Sequence, residues 1–452
     1  MKTVDIVERI EGEAKLSCSW ENGYINDVSI DFLNFRGFEY ILKDKPILDA
    51  LVYTPRICGI CGQAHLKATV EAIENIYEST GNKLKITNKA KLLREIGLNI
   101  EIIDSHLKWF YMFILPDVIK LAGEDLNEYE PIKGKRWIEA SKTASETIKA
   151  LAIIGGQWPH TSYMVPGGVM CDPTHLDIVS MINYLDSTLK FCEENIVGCS
   201  SEEYLQIDYK TIDNLGGDLK YFYDLCIKTN IENIGTSHDR FISLGSSSIF
   251  RKAKYDSRIY IKLDESKIEE DTTKTFDINN LENKDKTTWS KSVTYNKKFY
   301  ETGPLARAII NNRKLIKCLH RVYKDSILTR VFARVDEMIQ LLLNTKELLK
   351  QVDLNEQSYI KPNVSLKELS SKNELNAFSC VEACRGSLYH EIKIHKGLIT
   401  SYDIITPTVW NLGPGNNMEN SISQKAILGL DSIEKAKIVL RSFDVCSVCT
   451  SH

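Results

Sequence analysis

The sequence is organised around RICGICGQAH (residues 56–65), which is matched at the other end by DVCSVCTSH (444–452). Each stretch holds a Cys-x-x-Cys pair followed by a histidine, and the two pairs lie almost as far apart as the chain allows. A Cys-x-x-Cys turn directs two sulfur atoms at one point, so each stretch supplies half of a four-thiolate site. Soft thiolates select a soft or borderline metal such as zinc, iron or nickel.

Three kinds of site compete for these two pairs. A structural zinc site normally closes a short loop, with its pairs about 15–20 residues apart, whereas here a zinc ion would join the extremities of the chain. A thioredoxin-like redox pair needs one Cys-x-x-Cys on a helix after a strand, and it leaves the second pair unexplained. The third kind is a catalytic metal site buried at the centre of the fold.

The catalytic site is favoured because both motifs resemble those of the large subunit of nickel–iron hydrogenases. The resemblance covers the whole chain, and the second motif departs from it at Val445, where the family usually has proline. It implies a helix-dominated α+β fold with a long-helix core and small peripheral sheets. We therefore expect residues 1–452 to form a single domain of that fold. A polar, β-rich insert is expected at about 253–297.

The resemblance also assigns roles to the four motif cysteines. Cys58 and Cys446 are expected to be terminal ligands of nickel, while Cys61 and Cys449 bridge nickel to iron. Iron then completes its shell with carbon monoxide and two cyanides. Splitting dihydrogen requires an electrophilic metal and a base that takes the proton, and the Cys446 thiolate is expected to be that base.

Two further residues are expected to contact this nickel–iron group. Arg385 lies in Ala-Cys-Arg-Gly (383–386), where the family has Ala-Pro-Arg-Gly, so Cys384 replaces a proline. By the resemblance Arg385 lies over the metals, and pairing with a structural carboxylate is its alternative role. Thr408, in Pro-Thr-Val-Trp-Asn (407–411), matches the residue whose hydroxyl bonds a cyanide on iron.

Proton transfer and magnesium binding involve residues from both ends of the chain. Glu11, in Arg-Ile-Glu-Gly (9–12), resembles the glutamate that passes protons between a nickel-bound thiolate and solvent. A solvated charge at a strand edge is its alternative role. Glu39, the carbonyl of Ile404 and His452 are expected to bind Mg²⁺, which prefers hard oxygen ligands and keeps several waters.

Other positions near the expected metals depart from the family or vary within it. Ser105 stands where many relatives carry an aspartate, and Asp104 lies one position away. His106 either faces the site or is an ordinary buried histidine. At Ile60 and Phe113 the chain resembles the sensor and some aerobic uptake branches, in which bulkier side chains narrow the gas tunnel. Plain core packing is the alternative role of both residues.

Composition excludes several other classes of protein. The chain has 452 residues, of which 43% are hydrophobic and 26% charged, and its net charge of −4 indicates neither nucleic acid nor an anionic membrane as partner. The cysteines outside the two motifs are scattered, as buried small side chains in a reducing environment would be. Neither a signal peptide nor a membrane-spanning stretch is visible. We expect a cytoplasmic protein, with membrane association through partners or export with a signal-bearing subunit as alternatives.

Local patterns predict the order of helices and strands. Residues 4–35 read as β structure with a hairpin at 21–23, and a helical pattern from 65 to about 115 is expected to end at Pro116. Two more helices are predicted within 134–200, around a Pro-Gly-Gly turn at 166–168. Pro304 fits the first turn of a helical region that reaches about residue 352. Alternating strands are predicted at 388–394 and 398–405.

The expected reaction is the reversible heterolytic cleavage of H₂ to protons and electrons. The chain has no further cysteine pattern for an iron–sulfur cluster, so a small subunit that carries such clusters is expected, and further electron-transfer subunits are conceivable. The sequence looks closest to the cytosolic uptake and hydrogen-sensing branches. Uptake is the main hypothesis, and a sensor that signals to a regulatory partner is the alternative. The end at His452 resembles a mature form, or a gene without the C-terminal extension that relatives remove.

Overall fold

The computed structural model describes residues 2–10, 12–257, 259–278 and 285–450. Glu11 and His452, two of the predicted site residues, lie outside this set. The described strands are β1 Lys2–Ile10, β2 Gly12–Glu21, β3 Tyr24–Asp31, β4 Met164–Val165, β5 Gly168–Val169, β6 Phe241–Ser243, β7 Ala253–Asp256, β8 Ile259–Ile261, β9 Ile268–Asp271, β10 Ser292–Tyr295, β11 Leu375–Ala383, β12 Gly386–His395 and β13 Leu398–Ile405.

The helices contain more residues than the strands and form the interior of the protein. The α-helices are α1 Phe38–Leu42, α2 Ala50–Tyr53, α3 Gly62–Ser79, α4 Asn88–Trp109, α5 Leu115–Leu121, α6 Lys135–Gly155, α7 His175–Phe191, α8 Ser201–Tyr204, α9 Gly217–Lys228, α10 Pro304–Ile310, α11 Lys314–Tyr323, α12 Ile327–Lys350, α13 Leu366–Leu369, α14 Pro407–Leu412, α15 Ile422–Ile427 and α16 Ile433–Ser442.

Four long helices form the core. Helix α4 packs against α6 and α12, and α7 packs against both α6 and α12. Nearly the whole first half of α12 is buried, including its charged residues Arg330, Arg334, Asp336 and Glu337. Buried charges require partners, and each of these four makes an ion pair with another described residue. The long-helix core predicted from the sequence is therefore present.

Small antiparallel sheets surround this core. Strands β1, β2 and β3 pair in chain order, and the turn between β2 and β3 contains Asn22 and Gly23, both with positive φ, as the hairpin pattern predicted. Strands β11, β12 and β13 form a second sheet that packs on α3. Within 253–297 the described residues include the short strands β7 to β10.

One local prediction was incomplete and another was wrong. The predicted strands 388–394 and 398–405 are present as β12 and β13, but residues 375–383 add a third strand to their sheet. The helical run does not end at Pro116, because a π-helical turn at Phe110–Ile114 is followed by α5 with Pro116 in its first turn. A proline in the first turn of a helix removes no hydrogen bond, because the first N–H groups of a helix have no intrahelical acceptors.

Hydropathy gives one further result. Among the helices in the described part of the chain, none combines the length and the apolar character that crossing a bilayer requires.

Candidate metal centre

Four sulfur atoms from opposite ends of the chain converge in the interior. The Sγ of Cys58 lies 3.8 Å from that of Cys446, and the Sγ of Cys61 lies 3.7 Å from that of Cys449. The Sγ atoms of Cys446 and Cys449 are 3.0 Å apart, and all four residues are free cysteines. We call these four residues the cysteine cluster. Each is at most 5% exposed.

The first pair of cysteines is held by the start of α3. Cys61 occupies the N-cap position of that helix, and the carboxylate of Glu101 accepts hydrogen bonds from the backbone N–H groups of Gln63 (2.7 Å) and Ala64 (3.2 Å). A carboxylate at a helix N-terminus satisfies orphan N–H groups and complements the helix dipole. Burial raises the pKa of Glu101 well above its usual range.

The second pair follows α16 in a short 3₁₀ turn, Ser447–Cys449, with Cys446 at its N-cap. The hydroxyl of Thr406, which precedes α14, donates a hydrogen bond to the carbonyl of Cys449. Strand β2 contacts the same turn at its first residue: a Cβ added to Gly12 would lie 2.0 Å from the Oγ of Ser447. The N-terminal sheet therefore packs directly against the turn that carries Cys446.

The donor set suits a soft metal. Four buried sulfurs, with neighbouring pairs 3.0–3.8 Å apart, can contact one or two ions, and thiolate is the ligand that nickel, iron and zinc share. Hydrogen bonds from neighbouring thiols, with Cys446 the strongest, lower the pKa of Cys58, whereas burial raises the pKa of Cys446. Negative charge in such a cluster requires a nearby cation.

Arg385 pairs with a carboxylate, which was its alternative role, close to the cysteine cluster. Its Nε donates to the backbone carbonyl of Asp444 at 3.0 Å and lies 3.3 Å from the carboxylate Oδ2 of the same residue. Burial disfavours the cation, but the charges of Asp444 and of nearby sulfurs, including those of Cys446 and Cys58, raise its pKa well above the usual range. The guanidinium therefore pairs with a carboxylate and also lies beside the cysteine cluster.

Thr408 offers an independent indication that another group belongs here. It lies in the first turn of α14, is 2% exposed, and its Oγ1 has no hydrogen-bond partner among the described residues. A buried hydroxyl without a partner is uncommon and needs an explanation. A hydrogen-bond acceptor bound next to α14, such as the predicted cyanide, would provide the missing contact.

Glu39 and Ile404 lie together, as predicted, but the contact differs from the one expected. The Oε1 of Glu39 accepts from the backbone N–H of Ile404 at 2.9 Å and from the Nζ of Lys291 at 2.9 Å. Lys291 comes from the polar insert and also lies 3.3 Å from Glu270. Burial raises the pKa of Glu39 to about 7, and Lys291 opposes that shift. No pattern in the sequence indicated that Lys291 would lie beside Glu39.

His106 is a buried histidine within a charged network and makes its hydrogen bonds there. Its Nε2 lies 2.9 Å from Glu337, and its Nδ1 lies 3.2 Å from a guanidinium nitrogen of Arg334. Arg334 also donates to Asp444 (3.1 Å), which holds Arg385. Burial lowers the pKa of His106 to about 4. Both ring nitrogens of His106 are thus occupied in this network, which extends through Arg334 and Asp444 to Arg385.

The two residues before His106 are also accounted for. The Oδ2 of Asp104 accepts from Lys108 at 2.8 Å, so this carboxylate is directed at the next turn of its own helix. Ser105 makes a side-chain hydrogen bond with Cys384, whose sulfur lies 3.6 Å from the Nη1 of Arg385. Ser105 and Cys384, two of the positions that depart from the family pattern, are therefore in contact with each other.

Sequence reasoning missed the partners of His65. A ring nitrogen of His65 lies within 4.8 Å of the sulfurs of Cys61 and Cys449, and its Nδ1 lies 3.0 Å from the Nε2 of His390. The Nδ1 of His390 is 2.8 Å from the hydroxyl of Tyr402. His390 and Tyr402 lie on β12 and β13, and only the inward alternation of these strands could have indicated them.

The comparisons with known proteins agree with this geometry. Residues 36–125 and 124–452 match the family described as nickel-dependent hydrogenase. The chain belongs to this family. It is therefore a hydrogenase, an oxidoreductase that acts on H₂ and depends on nickel, and it has the helix-dominated α+β fold that the motifs implied.

Relatives of this hydrogenase subunit are large subunits. The periplasmic NiFeSe hydrogenase large subunit of Desulfomicrobium baculatum is 25% identical, over 100% of this chain and 94% of the relative. Hydrogenase-2 large chain of Escherichia coli K12 is 22% identical, over 100% and 96%. The solved NiFeSe hydrogenase of Dm. baculatum has a TM-score of 0.84 at 22% identity and is covered completely, a likeness of fold.

Proposed function

We propose that this hydrogenase large subunit holds a nickel–iron group at the cysteine cluster and cleaves H₂ heterolytically, working mainly in hydrogen uptake. The observation that carries the proposal is the convergence of four buried sulfurs from the two Cys-x-x-Cys turns. Two residues can supply the additional contacts that such a group needs. The hydroxyl of Thr408 has no hydrogen-bond partner among the described residues, and Arg385 lies near the sulfurs.

Each residue at the cysteine cluster has its own role in this proposal. Cys58 and Cys446 would hold nickel, and Cys61 and Cys449 would bridge it to iron, whose carbon monoxide and cyanide ligands would lie near Arg385 and Thr408. When bound, the group supplies the electrophilic metal that polarises dihydrogen.

The sulfur of Cys446 would accept the proton. Arg385 and Asp444 form a buried ion pair near that sulfur. Fixed dipoles and charges of this kind need no reorganisation during the reaction.

Protons leave, in this proposal, through Glu11. Its neighbour in the sequence, Gly12, packs against Ser447, the residue after Cys446. Magnesium would bind Glu39, the carbonyl of Ile404 and His452. Since Lys291 now pairs with Glu39, Mg²⁺ would have to displace its ammonium group, and Glu270 is available to receive it.

Electrons require a partner that lies close to the cysteine cluster. The first Cys-x-x-Cys turn approaches the surface, where Gly59 and Ile60 are half-buried and Arg56 is exposed. An iron–sulfur small subunit docked over this turn would accept electrons over a short distance. The same proposal includes further electron-transfer subunits, a cytoplasmic location with attachment to a membrane through partners, and a single domain over 1–452. Hydrogen sensing is the alternative role.

Metal analysis of the isolated native complex tests the proposal. We expect nickel and iron in equal amounts, little zinc, and infrared bands of metal-bound carbon monoxide and cyanide. Cys58→Ser should lose nickel and the bands, whereas Cys192→Ser, which changes a buried cysteine on a distant helix, should keep both. Stoichiometric zinc without the infrared bands would refute the proposal.

A further inference from the structure

We propose that His390 and Tyr402 are positioning residues that hold the Nε2–H group of His65 toward the sulfurs of Cys61 and Cys449. The inference rests on the proposed function, since it takes these two sulfurs to be metal-bound thiolates. It concerns how the protein adjusts the electron density of the metal group, through residues that do not touch that group.

The first step is the contact between His65 and the cysteine cluster. A ring nitrogen of His65 lies within 4.8 Å of the Sγ atoms of Cys61 and Cys449, and the residue is 1% exposed. Because Nδ1 is engaged with His390, Nε2 is the nitrogen that remains for the sulfurs. Metal-bound histidines and their neighbours are commonly oriented in this way by a partner on the other ring nitrogen.

The second step is the chain of hydrogen bonds behind His65. The Nε2 of His390 lies 3.0 Å from the Nδ1 of His65, and the Nδ1 of His390 lies 2.8 Å from the hydroxyl of Tyr402. The same hydroxyl lies 2.8 Å from the Oγ1 of Thr69, which lies 2.8 Å from the Oγ1 of Thr54. All five residues are at most 2% exposed, so solvent does not compete for these contacts.

The third step is the direction of these hydrogen bonds. A neutral imidazole carries one N–H, and a metal-bound thiolate can only accept, so the hydrogen of His65 must be on Nε2. The Nδ1 of His65 then accepts, which requires the hydrogen of His390 on its Nε2. The Nδ1 of His390 is left as an acceptor, and the O–H of Tyr402 fills it. Burial raises the pKa of Tyr402, so the phenol keeps its hydrogen.

The reverse direction leaves an unfavourable contact. It would place a hydrogen on the Nδ1 of His65 and direct the lone pair of Nε2 at two thiolates. The Tyr402 hydroxyl would then have to accept from the Nδ1 of His390 and donate to the Oγ1 of Thr69. Its donation to His390 instead completes the favourable direction, so this hydroxyl supports the tautomer that faces the metals.

The chain orients hydrogen bonds and does not carry protons away past Thr54. The hydroxyls of Thr69 and Thr54 also reach the carbonyls of His65 and Ala50, at 2.9 Å each. A backbone carbonyl accepts a hydrogen bond but passes no proton on. The consequence is electronic: a hydrogen bond to a thiolate withdraws charge from sulfur and raises the reduction potential of the metal, as it does in iron–sulfur proteins.

The test removes hydroxyl or imidazole groups behind His65. Tyr402→Phe deletes only the hydroxyl, and His390→Leu deletes both ring nitrogens. Tyr389→Phe is the matched control, because the hydroxyl of Tyr389 donates to Glu391 at 2.9 Å on the same sheet and takes no part in the chain. Each variant is purified as the native complex, and nickel and iron content, infrared bands and nickel midpoint potential are measured.

We expect the two chain variants to keep their metals, to show the carbon monoxide band at lower frequency and to have a lower nickel midpoint potential. The shifts should be larger in His390→Leu, and the control should match the parent. Parental bands and potential in Tyr402→Phe and His390→Leu, or an equal shift in the control, would overturn the inference. A parent without such bands would instead refute the proposed function.

A second measurement does not depend on variants that load their metals. In the parent complex labelled with ¹⁵N-histidine and held in a diamagnetic state, the nitrogen shifts report which ring nitrogen carries hydrogen. We expect the Nε2–H tautomer for both His65 and His390. The Nδ1–H tautomer at either histidine would overturn the inference.

Discussion

Replacing Arg385 by lysine separates the charge beside the cysteine cluster from its geometry. Both side chains are cations, but the guanidinium is a planar fork and the ammonium is a single point of charge. The Nε of Arg385 donates to the carbonyl of Asp444 at 3.0 Å, while its Nη1 reaches the sulfur of Cys384 at 3.6 Å. A lysine at this position can keep one of these contacts and must give up the other.

The size of the effect follows from what is lost. A hydrogen bond that involves a charged group contributes about 1.5–3 kcal/mol. If that contribution acts in the transition state, it corresponds to a decrease of about 10- to 150-fold in kcat, at roughly 1.4 kcal/mol per factor of ten. Arg385 is 4% exposed, so water cannot replace the missing donor. The substitution should leave the fold and the metals intact, because the positive charge opposite Asp444 remains.

The assay is hydrogen/deuterium exchange, together with hydrogen oxidation by an artificial acceptor, on variants with parental nickel, iron and infrared bands. Arg313→Lys is the matched control, since Arg313 makes a two-point contact with Asp336 (3.0 and 3.1 Å) away from the cysteine cluster. We expect control activity within about threefold of the parent, a much smaller change than the loss of a charged hydrogen bond. Near-parental turnover in a fully metallated Arg385→Lys variant would refute the reasoning.

Three further predictions concern protons, oxygen and stability. Glu11→Gln should keep the metals and lose about tenfold or more of hydrogen/deuterium exchange, and unchanged exchange would make Glu11 a surface carboxylate. Ile60→Val with Phe113→Leu, both half-buried, should speed inactivation by oxygen while anaerobic hydrogen oxidation stays similar; equal inactivation rates would contradict this. Burial raises the pKa of Asp104 from 3.8 to about 6, so its contribution to stability falls as pH rises through that interval. In the parent, the free energy of unfolding should therefore fall by up to about 3 kcal/mol across this pH interval, and Asp104→Asn should remove that fall. The measurement is the difference in unfolding free energy between parent and variant at each pH, and an identical pH dependence of the two proteins would contradict the prediction.

Much of the site was predictable because its chemistry is written in short local motifs. Two Cys-x-x-Cys turns can be read directly, and the structure brings Cys58 together with Cys446 and Cys61 with Cys449. Arg385 was also foreseen beside the cluster, since its neighbours in the sequence repeat a family pattern. The fold class followed from the same resemblance, and the long periodic helices agreed with it independently.

The residues that were missed share a physical reason. His390 and Tyr402 are alternate positions of two ordinary strands, and nothing in their spacing distinguishes a functional imidazole from a packed one. Lys291 contacts Glu39 only because the insert folds back on the N-terminal part of the chain. The strand at 375–383 was missed because its polar, half-exposed alternation resembles a surface loop. Tertiary contacts determine all of these, and no local pattern encodes them.

The two halves of the cysteine cluster are held by different buried carboxyl groups. Glu101 accepts hydrogen bonds from the N–H groups that begin α3 and so fixes the turn of Cys58 and Cys61. Asp444, between Arg334 and Arg385, fixes the turn that begins at Cys446. Burying a carboxyl group is costly unless it is hydrogen-bonded, and these two are retained where they hold sulfur atoms in place, which a hydrophobic replacement of equal volume could not do. Each half of the site is therefore oriented by its own buried carboxyl group.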